Sequence, residues 1–299
     1  METRPAESRD VAVAGGTLHA GCWTGPGPTV LAVHGITANH LSWLAIAAAV
    51  PQLTVLAPDL RGRGASADLP GPYGFAAHVA DLVALLDAYS VDQVVVAGHS
   101  MGAFVAVALA GRHPERVSRL VLVDGGLPLG EPAAPGIPAP DINAALGPAG
   151  ARLAMTFPSA EAYRQFWREH PAFGPMWGPA VQAYLDYDLV GEPPRLRSSC
   201  RAAAVAVDGA ELVDHAATAA ALRRVEVPVT FLRAERGLLD APPALYPEAA
   251  AARWFADRRQ VRDVSVSDTN HYSILLAPPA AAAVGAAITA AVDDCLPAS

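Results

Sequence analysis

Short runs of apolar, β-rich residues recur along the chain and are separated by longer stretches of helical character. The apolar runs occupy residues 29–35, 53–59, 93–100 and 119–126, and each ends at a turn that contains Gly or Asp. The helical stretches between them are residues 40–50, 74–90 and 101–112. Strands that alternate with helices in this way predict a mostly parallel sheet with helices on both faces.

The pattern changes at both ends of this region. Residues 11–22 alternate around a Gly-Gly pair, which is typical of an opening hairpin. Near Leu127 a Pro/Gly-rich connector begins, and residues 142–217 show helical pieces that are rich in aromatic residues. Strand patterns return at 225–234 and 261–271, with a helix between them and a last helix from about Pro279.

These patterns predict one α/β core that carries a helical insertion. We expect a mostly parallel, eight-stranded sheet flanked by helices, formed by residues 1–127 and 218–299. Residues 128–217 are predicted to form a helical cap, inserted after the sixth strand.

The composition excludes several classes of partner. The chain has 299 residues, of which 52% are hydrophobic and 17% charged, and its formal net charge is −8. Because phosphate binding requires clustered Lys and Arg, this balance argues against a nucleic-acid partner. The polar N-terminus lacks an apolar leader and no apolar stretch is typical of a membrane helix, so a cytoplasmic protein without membrane association is expected.

The sequence predicts neither a metal nor an organic cofactor. Cys22, Cys200 and Cys295 lie far apart without metal-ligand spacing, and the Gly-rich pieces lack the spacing that cradles phosphates. The expected partner is a small-molecule substrate, and the expected state is a monomer or a homodimer.

The strongest chemical signal is "VVVAGHSMG", an apolar run that leads into a Gly-bounded serine. Residues 103–112 continue as a helix, so Ser100 stands at a sharp turn from strand to helix. Such a turn needs small residues two positions on either side, here Gly98 and Gly102, and it lifts the serine oxygen clear of the sheet. The pattern therefore predicts that Ser100 is a nucleophile.

A serine nucleophile needs a base, and His271 is the best placed of the nine histidines. It follows an alternating strand and lies in "SDTNHYSILL", before the last helix. The order serine, acid, histidine along the chain fits this architecture.

The chain resembles the lidded serine esterases, lactonases and C–C hydrolases of the α/β-hydrolase fold superfamily. The segments that carry the resemblance are "HGITAN" (34–39), "DLRGRGAS" (59–66), "GHSMG" (98–102) and "TNHY" (269–272). The resemblance implies Ser100 as nucleophile, His271 as base, and the backbone N–H groups of Ile36 and Met101 as the oxyanion hole. The insertion matches the family only in position.

The acid that orients His271 is ambiguous in the sequence. In most relatives it follows the strand after the cap, but Gly237 stands at that position here, flanked by Glu235 and Asp240. Asp124 ends the strand that follows the nucleophile helix, from which some α/β hydrolases take their acid. Asp124 is favoured, with Asp240 as the alternative and Glu235 behind it.

The cap is predicted to select the substrate. His34 and the cap aromatics Phe166, Trp167 and Trp177 are candidate substrate-binding residues, although the aromatics could equally pack the cap helices together. Six arginines make the insertion locally basic; one of them could bind a substrate carboxylate, and the others are expected on solvated faces.

The predicted activity is hydrolysis of a carboxylic ester or lactone of a small, largely apolar substrate through an acyl-enzyme. Hydrolysis of a C–C bond in a β-diketone-like substrate is the alternative within enzymes. A non-catalytic receptor for a small ligand is the alternative from another class, because one fold hosts many functions.

Overall fold

A computed structural model of the protein describes residues 6–130, 146–256, 258 and 260–295. Its main sheet has eight strands: β1 (Glu7–Val13), β2 (Gly16–Trp23), β3 (Thr29–Val33), β4 (Thr54–Pro58), β5 (Val94–His99), β6 (Val117–Val123), β9 (Val229–Ala234) and β10 (Val261–Val266). A separate pair, β7 (Leu189–Val190) and β8 (Arg197–Ser198), lies in the insertion.

The strand order is β1-β2-β4-β3-β5-β6-β9-β10. β1 and β2 form the predicted hairpin and β2 pairs antiparallel with β4, whereas every other pair in the sheet is parallel. All six residues of β5 are buried, as expected for a central strand covered on both faces. The predicted mostly parallel, eight-stranded sheet is confirmed.

The helices cover both faces of the sheet, as predicted. Their bounds in the core are α1 (Leu44–Ala49), α2 (Phe75–Ala88), α3 (Met101–Arg112), α8 (His215–Arg223), α9 (Glu248–Phe255), α10 (Ser273–Leu276) and α11 (Pro278–Asp293). One apolar layer lies under α2, α3 and α8, and the other lies under α1, α10 and α11. None of the described helices is both long and apolar enough to cross a membrane.

The insertion is helical, as predicted from its pattern. Its described helices are α4 (Pro148–Ala151), α5 (Ala160–Arg168), α6 (Pro179–Asp188) and α7 (Ala202–Leu212). A third apolar cluster, centred on Phe157, Tyr163, Trp167 and Phe173, holds most of these elements together. Most of the predicted connector, from 131 onwards, and the start of the predicted helical region lie outside the described residues, and the cap boundaries at 128 and 217 stay predictions.

Helix α7 joins the insertion to the core through charged groups. Asp208 accepts a hydrogen bond from the backbone N–H of Gly74, and its carboxylate lies 2.5 Å from the Arg63 guanidinium. It also lies 3.0 Å from the imidazole of His78. Because Arg63, His78 and Asp208 are fully buried, these contacts satisfy charges that would otherwise be costly to bury.

The sheet brings the chemically interesting strand ends together. In the parallel register, Val33 pairs with Gly98, His99 with Val123, and Val123 with Leu232. The carboxyl ends of β3, β5, β6 and β9 therefore meet at one edge of the sheet, where the residues that follow them can form a site.

Candidate active site

Ser100 occupies a strained turn between β5 and α3. Its backbone has φ 53° and ψ −125°, a conformation that non-glycine residues rarely adopt. A Cβ on Gly98 would lie 2.4 Å from the Gly102 carbonyl oxygen, and one on Gly102 would lie 2.0 Å from the Val33 carbonyl oxygen. The two glycines are thus required by backbone contacts, which agrees with the sequence-based expectation.

Ser100, His271 and Asp124 form a continuous hydrogen-bonded chain. The Ser100 hydroxyl lies 3.0 Å from His271 Nε2, and His271 Nδ1 lies 2.7 Å from Asp124 Oδ2. The Asp124 side chain is fully buried, and its second oxygen accepts a hydrogen bond from the backbone N–H of Ala234 at 3.1 Å. Since the carboxylate can only accept, Nδ1 carries the proton and Nε2 is free to accept from Ser100.

The turn after β6 explains why an acid can reach His271 from this strand. Asp124 has φ 45°, and its backbone N–H donates to the carbonyl of Leu232 at 2.7 Å. The next residue is Gly125, where a Cβ would lie 2.2 Å from the Ser100 carbonyl oxygen. The turn therefore presses against the Ser100 backbone, and it aims the Asp124 carboxylate toward the histidine.

The two alternative acids, Asp240 and Glu235, are hydrogen-bonded to residues other than His271. Asp240 accepts hydrogen bonds from Arg236 Nε at 2.6 Å and from Asn270 Nδ2 at 3.0 Å. Burial would raise the pKa of Asp240, but these two hydrogen bonds hold it below the usual range. Glu235 accepts from the backbone N–H of Asp268 at 2.9 Å. Neither carboxylate is hydrogen-bonded to His271 in the structure.

The two groups predicted for the oxyanion hole belong to segments next to Ser100. Met101 begins α3, so its N–H belongs to the first turn, where backbone donors have no partner within the helix. Ile36 belongs to the loop after β3, which runs close to Ser100: a Cβ on Gly35 would lie 3.2 Å from Ser100 Cβ and 3.6 Å from its Oγ. Ile36 also lines the same cavity as Ser100.

His34 does not line that cavity, so the substrate-binding role predicted for it is not supported by its position. It is fully buried, its Nδ1 donates to the Gly35 carbonyl at 2.8 Å, and its Nε2 accepts from the Leu60 N–H at 3.0 Å. Burial lowers the pKa of His34 to about 4, which keeps the ring neutral at physiological pH. His34 therefore holds the peptide unit between Gly35 and Ile36.

The cavity at Ser100 is small and mostly apolar. Its volume is about 30 Å³. The described residues that line it are Gly35, Ile36, Thr37, Ala38, Ser42, His99, Ser100, Leu146, Tyr184, His271, Tyr272, Leu275 and Leu276. A larger cavity of about 680 Å³ lies between β10 and α11, but none of the Ser100, His271 and Asp124 side chains lines it.

The cap aromatics predicted to bind substrate pack within the cap instead. Trp167 is 2% exposed in the third apolar cluster, and Phe166 packs against that cluster with its ring 5.7 Å from the Trp167 ring. Trp177 lies under the Arg168 guanidinium at 4.6 Å. Tyr184 and Tyr272 line the cavity in their place. Sequence patterns alone do not separate the two groups, because both consist of aromatic residues.

His99 is a residue of the site to which sequence reasoning assigned no role. Its Nε2 donates to the backbone carbonyl of His271 at 2.8 Å, and the two rings lie 4.7 Å apart at an angle of 35°. Burial is the main cause that lowers the pKa of His99 to about 3. His99 therefore stays neutral and supports the loop that carries His271. Its position directly before Ser100 was the only signal available.

One group of side chains among the described residues has the composition of a metal site. Ligand atoms of His19, His40 and Asp59 lie within 4.8 Å of one another. The Asp59 carboxylate already accepts from the His40 ring and backbone, from the Ala65 N–H and from the Tyr187 hydroxyl. A metal ion there would have to displace these bonds, which hold the "DLRGRGAS" loop to the core and cap.

The arrangement around Ser100 can support nucleophilic acyl transfer. A hydroxyl, a neutral imidazole that accepts its proton, and a carboxylate that orients the imidazole are the parts of a serine nucleophile system. The neighbouring backbone N–H groups of Ile36 and Met101 are the kind of donors that stabilise a developing oxyanion.

Comparison with known proteins places this site in a wider context. A family model described as alpha/beta hydrolase fold matches residues 28–278. Lipase LipV of Mycobacterium tuberculosis is 40% identical over 113 residues, which cover 38% of this chain and 43% of the lipase. The 2-hydroxymuconate semialdehyde hydrolase of Pseudomonas sp. (strain CF600) is 30% identical over 182 residues, which cover 58% of this chain and 54% of that enzyme.

A solved structure agrees over nearly the whole chain. The crystal structure of E-2-(acetamidomethylene)succinate hydrolase has a TM-score of 0.78 and 24% identity, and covers 96% of this chain and 99% of its own. At that identity the likeness establishes the fold alone. The chain spans about half or less of the length of the two curated relatives above.

Proposed function

Because the chain belongs to the alpha/beta hydrolase fold family, a family of hydrolases, we propose that it is a serine hydrolase. Its proposed substrate is a small, uncharged and largely apolar carboxylic ester or lactone. The observation that carries the proposal is the continuous contact from Ser100 Oγ to His271 Nε2 and from His271 Nδ1 to Asp124, at 3.0 and 2.7 Å. Asp124, rather than Asp240, is the acid in this proposal.

In the first half of the reaction, Ser100 attacks the substrate carbonyl. His271 Nε2 takes the hydroxyl proton as the Oγ–C bond forms, and Asp124 stabilises the resulting imidazolium. The carbonyl oxygen gains negative charge and accepts hydrogen bonds from the N–H groups of Ile36 and Met101. His271 then donates its proton to the leaving alcohol, which departs and leaves an ester on Ser100.

In the second half, water hydrolyses that ester. His271 Nε2 removes a proton from the attacking water, and the same N–H groups stabilise the second oxyanion. Collapse of this intermediate releases the acid and returns the proton to Ser100. A lactone follows the same steps, except that the leaving alcohol stays attached to the acyl group.

The cavity lining supports an uncharged substrate. No Lys, Arg, Asp or Glu occurs among the described residues that line it, and Ile36, Leu146, Leu275 and Leu276 form much of its wall. An ionised substrate would lose its hydration there without gaining a partner, at a cost of several kcal/mol.

The proposal is tested by labelling the protein with a fluorophosphonate and by assaying p-nitrophenyl esters of increasing chain length together with lactones. We expect stoichiometric labelling at Ser100, and hydrolysis of uncharged esters with a burst of p-nitrophenol. Ser100→Ala is the control and should remove both signals. A wild-type protein that neither labels nor turns over any ester, but binds a small apolar ligand, would instead be a receptor.

Hydrolysis of a C–C bond is a second candidate. It is favoured by the match to 2-hydroxymuconate semialdehyde hydrolase, which covers 58% of this chain at 30% identity. The same serine, histidine and acid would serve, with a carbon leaving group protonated in place of an alcohol. Turnover of a vinylogous β-diketone at a kcat/KM above that of every ester in the panel would favour this function.

A further inference from the structure

A buried arginine of the cap reaches the loop that carries Ile36. We propose that Arg152 is a positioning residue, which couples the docked cap to the oxyanion loop, defined here as residues 35–39. Arg152 follows α4 and is 2% exposed, and its Nη2 donates to the Thr37 carbonyl at 2.7 Å. The proposal rests on the proposed function, because it concerns the donors that would stabilise the oxyanion.

The carbonyls of three successive residues in this loop are hydrogen-bonded by side chains. His34 Nδ1 donates to Gly35, Arg63 Nε donates to Ile36 at 2.9 Å, and Arg152 donates to Thr37. Since each peptide unit is planar, the bond to the Gly35 carbonyl sets the direction of the Ile36 N–H, and the bond to the Thr37 carbonyl sets that of the Ala38 N–H. The Ala38 N–H in turn donates to the Gly35 carbonyl at 3.2 Å, which links the unit held by Arg152 to the one that carries the Ile36 N–H. The first two donors belong to the core, and the third belongs to the cap.

The guanidinium is itself held rigidly. Arg152 Nε lies 3.3 Å from both the Tyr163 hydroxyl and the Asp188 carboxylate, and Nη1 donates to the Ala149 carbonyl. The Arg152 carbon Cζ also lies 5.2 Å from the centre of the Trp167 ring. Burial lowers and the Asp188 charge raises the pKa of Arg152, and the net effect is a raised pKa that keeps the group charged.

Asp188 in turn is locked by three hydroxyl groups. Tyr163 donates to Oδ2 at 2.5 Å, while Ser198 and Ser199 donate to Oδ1 at 2.9 and 3.0 Å. This network joins α5, the end of α6, and the end of β8 with the residue that follows it to the arginine. A displacement of any of these cap elements would therefore move the Arg152 guanidinium away from the Thr37 carbonyl.

These contacts also argue against a substrate-binding role for Arg152. The sequence allowed one cap arginine to bind a substrate carboxylate, but the N–H groups of Arg152 already face four protein oxygens, and Arg152 does not line the cavity at Ser100. A planar guanidinium whose N–H groups all have fixed partners holds those partners in one orientation. Arg152 thus acts on the reaction through the Thr37 carbonyl.

The test compares Arg152→Lys with Arg164→Lys. Arg164 is the matched control, because it lies in the same cap and forms a two-pronged contact with Asp186 at 2.8 and 2.7 Å. Its side chain is partly exposed, and its hydrogen-bond partners are Asp186 and Glu161. Lysine keeps the charge but cannot reach Thr37 and Asp188 together. We expect Arg152→Lys to lower kcat and the rate of fluorophosphonate labelling roughly 10- to 100-fold, with KM changed less than about threefold.

Tyr163→Phe provides a milder second variant in case Arg152→Lys does not fold. It removes one hydroxyl from the network and should lower kcat about threefold at unchanged KM, because the arginine loses part of its support. Equal kcat and labelling rates in wild type, Arg152→Lys and the Arg164→Lys control would overturn the proposal. A rise in KM at unchanged kcat would overturn it too, in favour of substrate binding.

Failure of this inference is distinguishable from failure of the proposed function. A wild-type protein that does not label with fluorophosphonate contradicts the serine hydrolase itself. A wild type that labels, beside an Arg152→Lys variant that is folded and labels at the same rate, contradicts only the coupling between cap and oxyanion loop.

Discussion

Strands β6 and β9 are neighbours in the sheet, and each is followed by a turn that holds an aspartate at positive φ. Asp124 has φ 45° and Asp240 has φ 59°. Their carboxylates contact adjacent residues of one loop, since Asp124 contacts His271 and Asp240 contacts Asn270. The two turns thus hold the same loop from different strands, and only one of them contacts the imidazole.

The two aspartates differ in the burial of their side chains and in their charged partners. The Asp124 side chain is fully buried and has no cationic partner among the described residues except the histidine. The Asp240 side chain is 26% exposed and forms an ion pair with Arg236. A carboxylate already neutralised by arginine has less capacity to stabilise an imidazolium, so an acid near the loop does not by itself complete the site.

The strongest test of this comparison is the exchange of each aspartate for asparagine. Asp124→Asn should lower kcat about 10³- to 10⁴-fold, because the amide favours the wrong tautomer of His271. The measurement is the steady-state hydrolysis of a p-nitrophenyl ester, with circular dichroism to check the fold. If Asp124→Asn retained more than a tenth of wild-type kcat while Asp240→Asn lost its activity, the assignment of the acid would be reversed.

The glycines of the two turns offer a second test. Gly125→Ala places a Cβ 2.2 Å from the Ser100 carbonyl oxygen, whereas Gly237→Ala places one 2.9 Å from the Pro243 carbonyl oxygen. We expect Gly125→Ala to cost about 1–3 kcal/mol of unfolding free energy and to lower kcat about 100-fold, since the nucleophile turn must shift.

Gly237→Ala serves as the comparison, and it should keep kcat within about threefold because its turn does not touch Ser100. Urea unfolding and ester hydrolysis measure both effects. Equal losses of kcat in the two variants would show that the turn after β9 also supports the nucleophile.

The response to acid should separate the buried surroundings of Ser100 from the turn after β9. His34 and His99 near Ser100 have pKa values of about 4 and 3, lowered chiefly by burial. In the unfolded chain, each of these histidines becomes protonated below about pH 6.5, whereas in the folded protein it stays neutral. Each of the two should therefore lower the unfolding free energy by about 1.4 kcal/mol for every pH unit below 6.5. This loss continues until pH reaches the lowered pKa of each group.

Asp240 acts in another pH range. Its pKa is lowered, so its contribution to stability is complete above the ordinary pKa of 3.8 and is lost as pH falls through the lower, folded value. Urea unfolding between pH 6.5 and 4 should therefore show the same slope in Asp240→Asn as in wild type, and a flatter slope in His99→Gln. A flatter slope in Asp240→Asn alone would contradict this division.

The smallest effect is expected for Asp240→Asn at neutral pH. Its ion pair with Arg236 is partly exposed, so solvent screens it, and the loss should be about 1 kcal/mol or less of unfolding free energy. Activity should stay within about threefold of wild type, because Asn can still accept from Asn270. Thermal unfolding and ester hydrolysis check this outcome.

Much of the core could be predicted because its signals are local. A buried strand such as β5 must be a continuous apolar run, and a strained turn such as that at Ser100 must have small residues around it. The alternation of strands and helices then leaves few topologies, since parallel strands need crossover connections. Both sheet and nucleophile turn are therefore visible without coordinates.

The substrate-binding residues could not be predicted in the same way. Trp167 and Tyr184 are both aromatic residues on cap helices, yet only Tyr184 lines the cavity. His34 follows a strand end as a site residue would, yet both of its ring nitrogens bond backbone groups. Such differences depend on how each helix or loop is oriented when it packs against the rest of the protein. The direction of a side chain in the folded protein leaves no pattern in the sequence.

The sequence by itself determined the fold class, the tight turn at Ser100 and a short set of candidate acids, because strand and turn formation depend on residues close together in the chain. Only the tertiary structure shows which of these acids contacts His271. Asp124 and His271 are 147 residues apart, and their 2.7 Å contact arises from the register of β6 beside β9 and the path of the loop after β10. That distance is a property of packing, which no local pattern encodes.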